Sequence, residues 1–213
     1  MSAALRILRR EAPRWNAPVM MLVAAESRDP FLTLVGCILS LRTRDQVTAI
    51  AARTLFARAS TPAAMLKLSQ SELEKCIYPV GFYRTKAKVI RELCRDLIDK
   101  FDGQVPDEIE VLLTLKGVGR KTANLVVTEA FRKPGICVDT HVHRISNRWG
   151  LVRTTNPEKT EAALREVLPR RHWLEYNGLL VAFGQTICQP RFPQCSRCPI
   201  ETMCPKIGLI DAR

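Results

Sequence analysis

The chain has 213 residues, of which 46% are hydrophobic and 25% are charged. This balance is typical of a folded globular protein and argues against a fibrous or disordered chain. The 33 Lys and Arg residues exceed the 21 Asp and Glu residues, which leaves a net charge of +12. Such a surplus makes a polyanion the expected partner, with nucleic acid as the first candidate and a basic surface that serves only solubility as the alternative.

The first residues carry no sign of export or membrane insertion. The stretch MSAALRILRREAPRW is charged and helix-like, and it lacks the apolar core and the small-residue cleavage site of a signal peptide. The apolar segment Val19–Ala25 is far shorter than the roughly 18 residues that a membrane span requires. We therefore expect a cytoplasmic protein that does not contact a membrane.

Apolar residues recur mostly at helical spacing, whereas the alternating runs typical of strands are few. After the N-terminal stretch, the predicted helices are Pro30–Leu39, Gln46–Ala59, Glu72–Ile77, Lys86–Phe101, a short helix with Ile109, Leu112 and Leu113, the segment after Gly119, Pro157–Leu168 and Trp173–Phe183. The predicted caps are Ser69 with Glu72, Asp107 with Glu110, and Asn156 before Pro157. The expected fold class is all-α, with nine or ten helices.

Two glycines join two of these helical patterns in the sequence LKGVGRK, residues 115–121. Glycine permits backbone angles that other residues resist, and it leaves the amides at the start of the next helix open to an anion such as a DNA phosphate. Basic side chains on both sides of the glycines favour this interpretation over an ordinary connection with a C-cap glycine. The predicted phosphate-binding residues are Lys116, Gly117, Val118, Gly119 and Arg120.

The eight cysteines fall into two groups by their spacing. Four are scattered among apolar neighbours and are expected to be buried in the core: Cys37, Cys76, Cys94 and Cys137. The other four, Cys188, Cys195, Cys198 and Cys204, follow the spacing C-x6-C-x2-C-x5-C. Four thiols so close together indicate a metal site rather than two disulfides, and the spacing alone leaves zinc and an iron–sulfur cluster open.

Three motifs together resemble those of the endonuclease III family. LKGVGRKTANLVV resembles its helix–hairpin–helix, VDTHVHRISNRWG the segment that follows, and CQPRFPQCSRCPIETMC its iron–sulfur loop; STPAAML and GFYRTKA extend the resemblance over nearly the whole chain. The family consists of DNA glycosylases that also cleave abasic sites, with two helical lobes that flank a DNA-binding cleft. The resemblance implies a helical barrel lobe with the hairpin at 19–133. The second lobe, 1–18 with 134–213, would carry the C-terminal [4Fe–4S] loop.

The resemblance assigns the nucleophile to Lys121, one residue into the helix after the hairpin. Its amine would attack the sugar C1′, expel the base and form a Schiff base, and β-elimination would then cleave the strand on the 3′ side. The positive end of the helix and the neighbouring Arg120 disfavour the ammonium form, which a lysine must lose before it attacks. Without the resemblance, Lys121 is simply one more phosphate-binding cation.

The resemblance also assigns the catalytic carboxylate to Asp139, which would stabilise positive charge that develops on the sugar. An N-cap for the helix that starts near Thr140 is the structural alternative, and both roles are compatible. His141 either orients the DNA-binding site or only satisfies the local backbone, and it stays a candidate DNA-binding residue. For His141, as for His143 and His172, we favour the structural role.

A glycosylase must rotate its target base out of the duplex and fill the gap that the base leaves. The family uses a Gln of an S-x-Q-x-x-D stretch for this, but this chain reads SLRTRD at residues 40–45. We therefore assign gap filling to Arg42, with Leu41 as the rival. In GFYRTKA, Phe82 matches the apolar residue that wedges the opposite strand, although core packing is its alternative.

In the family, the four C-terminal cysteines hold a [4Fe–4S] cluster, and this assignment is carried over to Cys188, Cys195, Cys198 and Cys204. Arg191 and Arg197 lie between the ligands and are predicted to contact phosphates, so the cluster would be structural. The expected function is excision of oxidised pyrimidines from double-stranded DNA, with cleavage of abasic sites, by a monomeric prokaryotic enzyme associated with the nucleoid. A monofunctional mismatch or adenine glycosylase is the first alternative, and a non-catalytic DNA-binding module is the remote one.

Overall fold

The computed structural model describes residues 1–15 and 29–209. All regular secondary structure in these residues is helical, and they contain no β-strand. The predicted all-α class is confirmed. The apolar segment Val19–Ala25 lies outside the described residues. No helix in the described part of the chain has the length and apolar character needed to span a bilayer.

The described residues form eleven α-helices, one or two more than the sequence predicts. They are α1 (Ser2–Glu11), α2 (Pro30–Ser40), α3 (Asp45–Arg58), α4 (Pro62–Lys67), α5 (Gln70–Ile77), α6 (Tyr83–Phe101), α7 (Ile109–Leu112), α8 (Arg120–Glu129), α9 (Thr140–Arg148), α10 (Pro157–Val167) and α11 (Trp173–Thr186). The sequence misses α4 because its six residues are too few for apolar periodicity. Thr61 nevertheless caps this helix, since its hydroxyl accepts a hydrogen bond from the Ala64 amide at 3.2 Å.

Two of the three predicted caps are confirmed. Ser69 and Glu72 bond reciprocally, with the Glu72 amide donating to the Ser69 hydroxyl at 3.2 Å and the Ser69 amide to the Glu72 carboxylate at 2.9 Å. The Asn156 side chain accepts from the Lys159 amide at 2.9 Å. The third cap is wrong, because α7 begins after Glu108 and has no side-chain cap. Asp107 instead forms an ion pair with Lys133 at 2.6 Å.

The chain divides into two compact units, residues 19–133 and residues 1–18 with 134–213. We call the first the hairpin unit and the second the cysteine unit. Within the hairpin unit, α2 packs against α3, α6 and α8, and α6 packs against α4 and α5. Its fully buried large side chains include Leu34, Ile38, Leu39, Leu55, Met65, Leu73, Ile77 and Ile90.

The cysteine unit has its own core, in which α11 packs against α1 and α9. The buried residues of this core include Leu5, Leu8, Ile136, Val142, Ile145, Leu164, Tyr176, Leu180 and Phe183. The Tyr176 hydroxyl forms a hydrogen bond with the Ser146 hydroxyl at 3.0 Å, so its polar atom is satisfied inside the core.

The four scattered cysteines are all buried, as predicted. Burial raises the pKa of the Cys37 thiol to about 12 and that of the Cys94 thiol to about 12. Because the thiolate is the reactive form of cysteine, these buried thiols are chemically inert at neutral pH. They contribute to the core as small apolar side chains.

Helix α1 is attached to α11 through a polar cluster. Arg9 donates to both oxygens of Glu175 at 2.9 and 2.6 Å, and His172 lies 2.9 Å from the same carboxylate. His172 is buried in this cluster, which agrees with its predicted structural role. Burial acts to raise the pKa of Glu175, but the hydrogen bonds from Arg9 and His172 outweigh it, so the pKa is lowered overall.

We expect Glu175→Gln to reduce the free energy of unfolding by about 1 kcal/mol at pH 7, because half-exposed ion pairs contribute little. The folded-state pKa of Glu175 lies below its unfolded value. The stabilisation is therefore present above roughly pH 4.3 and is lost as the pH falls through the folded pKa. Thermal unfolding of both proteins between pH 7 and pH 3 tests this, and a difference that does not shrink toward pH 3 contradicts it.

Candidate functional site

The hairpin between α7 and α8 requires glycine for a steric reason. Gly117 has φ +80°, and a Cβ at this position would lie 2.4 Å from a methyl carbon of Val89 on α6. Val118 is 7% exposed, and its amide donates to the Leu115 carbonyl at 3.2 Å. Its side chain therefore packs inside the hairpin unit, and its amide already has a partner within the turn.

Gly119 is the N-cap residue of α8, and no side chain caps this helix. A Cβ at Gly119 would meet nothing within 4 Å. The start of the helix is therefore accessible, and its backbone amides and positive dipole end are suited to an anion. This geometry agrees with the phosphate-binding role predicted for the hairpin.

The two basic residues that flank the glycines form ion pairs. The Lys116 ammonium lies 3.1 Å from the Glu92 carboxylate, and the Arg120 guanidinium lies 3.5 Å from that of Glu110. The side chains in both pairs are at least 39% exposed. Exposed ion pairs contribute little free energy, so both cations can exchange their carboxylate for a phosphate at small cost.

Lys121 is the second residue of α8, and it is exposed. The residues that follow it, from Thr122 to Thr128, are all buried, so the backbone that carries Lys121 is fixed against the core. Helix α8 packs on α2. The positive charge of Lys121 favours a lower pKa of the buried Cys37 on α2, although burial outweighs this effect. The structure thus presents the amine from a rigid element.

Asp139 caps α9 in the cysteine unit. One oxygen of its carboxylate, Oδ1, accepts hydrogen bonds from the His141 amide at 2.8 Å and the Val142 amide at 2.9 Å. The predicted N-cap role is therefore present. Neither bond uses Oδ2, so the cap fixes the carboxylate and leaves an oxygen for another role.

His141 lies in a crowded position on α9. Arg144 donates to its Nδ1 at 3.0 Å and also to the carbonyls of Gly184 at 3.3 Å and Cys188 at 2.8 Å. A Cβ at Gly184 would lie 2.5 Å from the same Nδ1, so the close approach of the imidazole requires glycine there. His143 bonds to the Thr160 hydroxyl at 2.6 Å, in agreement with its structural role.

The four C-terminal cysteines line the same small cavity in the cysteine unit. Burial raises the pKa of the Cys198 thiol to about 11, and it also raises the pKa of Cys204. Metal ligands must be thiolates, so this donor set needs a strong cation in the cavity to hold the charged form. Within residues 1–15 and 29–209, no three His, Cys, Asp or Glu side chains form a group that could bind a single metal ion.

Arg148 holds the first part of the cysteine loop, and the sequence does not single it out. This residue is 8% exposed. It donates to the Cys188 sulfur at 3.3 Å and to the carbonyls of Gln189 at 2.7 Å and Pro190 at 2.6 Å. The other cations of the loop differ, since Arg191 and Arg197 are exposed. Arg148 lies four residues after Arg144 and three after Ile145, on an otherwise buried face of α9. Only this spacing could have indicated an inward-facing arginine.

The predicted gap-filling and wedge residues lie close together in the hairpin unit. The Arg42 guanidinium is 5.8 Å from the centre of the Phe82 ring. Both residues have left-handed backbone angles, with φ 52° for Arg42 and 58° for Phe82, which are rare outside glycine. Phe82 is 62% exposed and Leu41 is 37% exposed. The core-packing alternative for Phe82 is therefore wrong.

The sequence matches the family described as the HhH-GPD superfamily of base excision DNA repair proteins over residues 35–170. Over 176 residues it is 48% identical to endonuclease III of Thermotoga maritima, with 83% of each chain covered. This chain belongs to the endonuclease III family. The family assignment made from the motifs is confirmed, and the chain is a DNA glycosylase and abasic-site lyase of base excision repair.

Solved structures agree with this assignment. A non-covalent endonuclease III–DNA complex matches with a TM-score of 0.84 and 35% identity, over 96% of this chain and 93% of that one. A trapped endonuclease III–DNA covalent intermediate, an estranged-adenine complex, matches with a TM-score of 0.78 and 38% identity, over 84% of both chains. DNA is therefore the macromolecular partner of this fold.

Proposed function

We propose that this member of the endonuclease III family removes oxidised pyrimidines from double-stranded DNA and then cleaves the abasic strand through Lys121. The observation that carries the proposal is the position of Lys121. This residue is exposed at the start of α8, directly after the glycine hairpin, and no side chain caps this helix start. A phosphate held at that helix end brings the sugar of a bound nucleotide within reach of the amine. Backbone anchoring and nucleophilic attack then use one rigid element.

The chemistry starts from the neutral amine of Lys121. Its Nζ forms a bond to C1′ while the bond between C1′ and the base breaks, and the base leaves with a proton. The bond between C1′ and the ring oxygen O4′ then breaks, and the second Nζ proton passes to O4′, which opens the sugar ring and gives the Schiff base. A proton then leaves C2′, the bond between C3′ and the 3′ phosphate oxygen breaks, and water finally releases the enzyme from the cleaved strand.

We assign to Asp139 the stabilisation of positive charge at C1′ during the first step. A fixed carboxylate stabilises an oxocarbenium-like transition state more than the neutral ground state, which is the condition for catalysis. The two amide hydrogen bonds to Oδ1 hold the orientation of the carboxylate.

The DNA contacts proposed for this chain fall into three groups. The hairpin residues Lys116, Gly117, Val118, Gly119 and Arg120 bind the backbone. Arg42 or Leu41 fills the gap while Phe82 wedges the opposite strand, and His141, Arg191 and Arg197 add contacts from the cysteine unit. The hairpin unit and the cysteine unit would correspond to the two lobes of the family. A monomer in the prokaryotic cytoplasm, associated with the nucleoid, is the form that we propose.

We propose that Cys188, Cys195, Cys198 and Cys204 hold a [4Fe–4S] cluster. The four thiols line one cavity. Four thiolates suit an iron–sulfur cluster as well as a Zn²⁺ ion, and the resemblance to the endonuclease III family favours the cluster. The cluster would order a loop that has two short 3₁₀ turns, Cys195–Arg197 and Glu201–Met203, and little core of its own.

We expect the purified wild-type protein to contain about four iron atoms per chain and Cys198→Ser to contain markedly less. The loop should then become sensitive to limited proteolysis, because its order depends on the metal. Cys76→Ala, a buried cysteine of the hairpin unit, is the matched control and should keep its iron. Full iron content in Cys198→Ser, or zinc in the wild type, would contradict the assignment.

The proposed substrate class is tested with duplexes that carry thymine glycol, an abasic site or a single mismatch. The iron-containing protein should release thymine glycol and cleave the same strand, and it should cleave the abasic duplex. Base release from a mismatch without strand cleavage would instead favour the monofunctional alternative.

A further inference from the structure

Lys86 is a buried cation that the proposed chemistry does not use. It lies on α6 and is only 6% exposed. Its ammonium donates to three oxygens: the Leu39 carbonyl at 2.8 Å, the Leu41 carbonyl at 2.5 Å and the Thr43 hydroxyl at 3.1 Å. An ammonium has three N–H donors, so this set of acceptors satisfies all of them.

These three acceptors belong to the end of α2 and the turn that follows it. The last carbonyls of a helix have no partner within the helix, and a lysine is well suited to cap them. Burial lowers the pKa of Lys86 to about 8, so at pH 7 the side chain still carries its charge. Lys86 thus fixes residues 39–43, which include both candidate gap-filling residues.

Thr43 connects the turn after α2 to the loop that contains Gly81 and Phe82. Its hydroxyl accepts from the Gly81 amide at 3.1 Å, directly before Phe82. A Cβ at Gly81 would lie 2.7 Å from the Arg42 carbonyl, so the two loops are in backbone contact. Lys86 itself follows Phe82 by one helical turn, since its amide donates to the Phe82 carbonyl at 3.0 Å.

We infer that Lys86 is a positioning residue that holds the gap-filling loop, residues 41–43, and the wedge loop, residues 81–83, in one fixed arrangement for entry into the duplex. This inference rests on the proposed function, because it assigns a cause to the placement of Arg42 and Phe82. The left-handed backbone at both residues is consistent with it, because such conformations persist where the surroundings determine them.

A positioning role differs from a merely structural one in the substrates that it affects. Rotation of a base out of a duplex requires both loops, whereas cleavage of an abasic site in single-stranded DNA has no partner strand to wedge and no stack to fill. Loss of the Lys86 ammonium should therefore slow excision from duplex DNA and leave single-strand cleavage nearly unchanged.

The test compares Lys86→Met, Thr43→Val and the control Lys88→Met, an exposed lysine on the same helix, in the full iron-containing protein. Under single-turnover conditions we expect Lys86→Met to slow thymine glycol excision from duplex DNA by about 10- to 100-fold. Thr43→Val, which removes the hydroxyl and keeps the shape, should show a smaller loss of the same kind. Both variants should cleave a single-stranded abasic site at about the wild-type rate, and Lys88→Met should match the wild type on both substrates.

A fluorescent 2-aminopurine opposite the lesion gives an independent readout, because its emission rises when it is unstacked. We expect a reduced rise with Lys86→Met and Thr43→Val. Parallel loss on duplex and single-stranded substrates, or no loss in either variant, overturns the positioning role. A wild-type protein that fails to excise thymine glycol overturns the proposed function instead, so the two failures are distinguishable.

Discussion

Lys121→Gln is expected to abolish strand cleavage and covalent attachment to DNA, with excision of thymine glycol slowed by about 10⁴-fold or more. Glutamine keeps a similar length and polarity at the second position of α8, but its amide nitrogen is not a nucleophile and cannot form a Schiff base. Quenched-flow measurement of product formation on a duplex with one thymine glycol measures the effect. The fold should be unaffected, because Lys121 is exposed.

Lys116→Gln is the matched control, since it removes a neighbouring exposed cation of the same hairpin. We expect it to weaken DNA binding modestly and to reduce the slope of log affinity against log salt by about 1. The rate at which bound substrate is converted to product should change little. If Lys121→Gln behaved like this control, Lys121 would be a phosphate-binding cation and not the nucleophile.

Asp139→Asn is expected to separate the two roles of Asp139. Asparagine is as good an N-cap as aspartate, and its side-chain oxygen can accept from the His141 and Val142 amides that Oδ1 now binds. The free energy of unfolding should therefore change by less than about 0.5 kcal/mol. Base release should nevertheless fall by about 10²- to 10⁴-fold, because the negative charge is lost.

Asp139→Ala serves as the comparison, because it removes the cap as well as the charge. It should lower the free energy of unfolding by about 1 kcal/mol and reduce base release as much as Asp139→Asn does. Chemical denaturation and single-turnover base release measure the two effects separately. Normal excision by Asp139→Asn would limit Asp139 to the structural role of a helix cap.

Much of the fold could be predicted from local signals. Ser69 and Asn156 mark helix starts because a short polar side chain satisfies the first amides of a helix, and this chemistry depends only on residues nearby in sequence. Asp107 carries the same signal, yet the structure uses it in an ion pair with Lys133. A distant partner that competes for the side chain is invisible to a local pattern.

The residues of the candidate site also fall into those that a local motif identifies and those that only the tertiary structure reveals. The hairpin and the cysteine spacing are contiguous motifs, so the sequence identifies them directly. Lys86 and Arg148 bind segments that lie more than 40 residues away, and the sequence does not indicate which segments these are. A lysine on an amphipathic helix is usually placed on the solvated face, and only the tertiary structure brings oxygen acceptors to its buried end.

The central claim is that Lys121 forms a covalent bond with the sugar of the damaged nucleotide. Sodium borohydride reduces a Schiff base to a stable amine, so the iron-containing wild-type protein should be trapped on a duplex with one thymine glycol. Peptide mass analysis of the trapped adduct tests the claim most directly. We predict a single modified residue, Lys121. An adduct on another residue, or base release without any adduct, would contradict the claim.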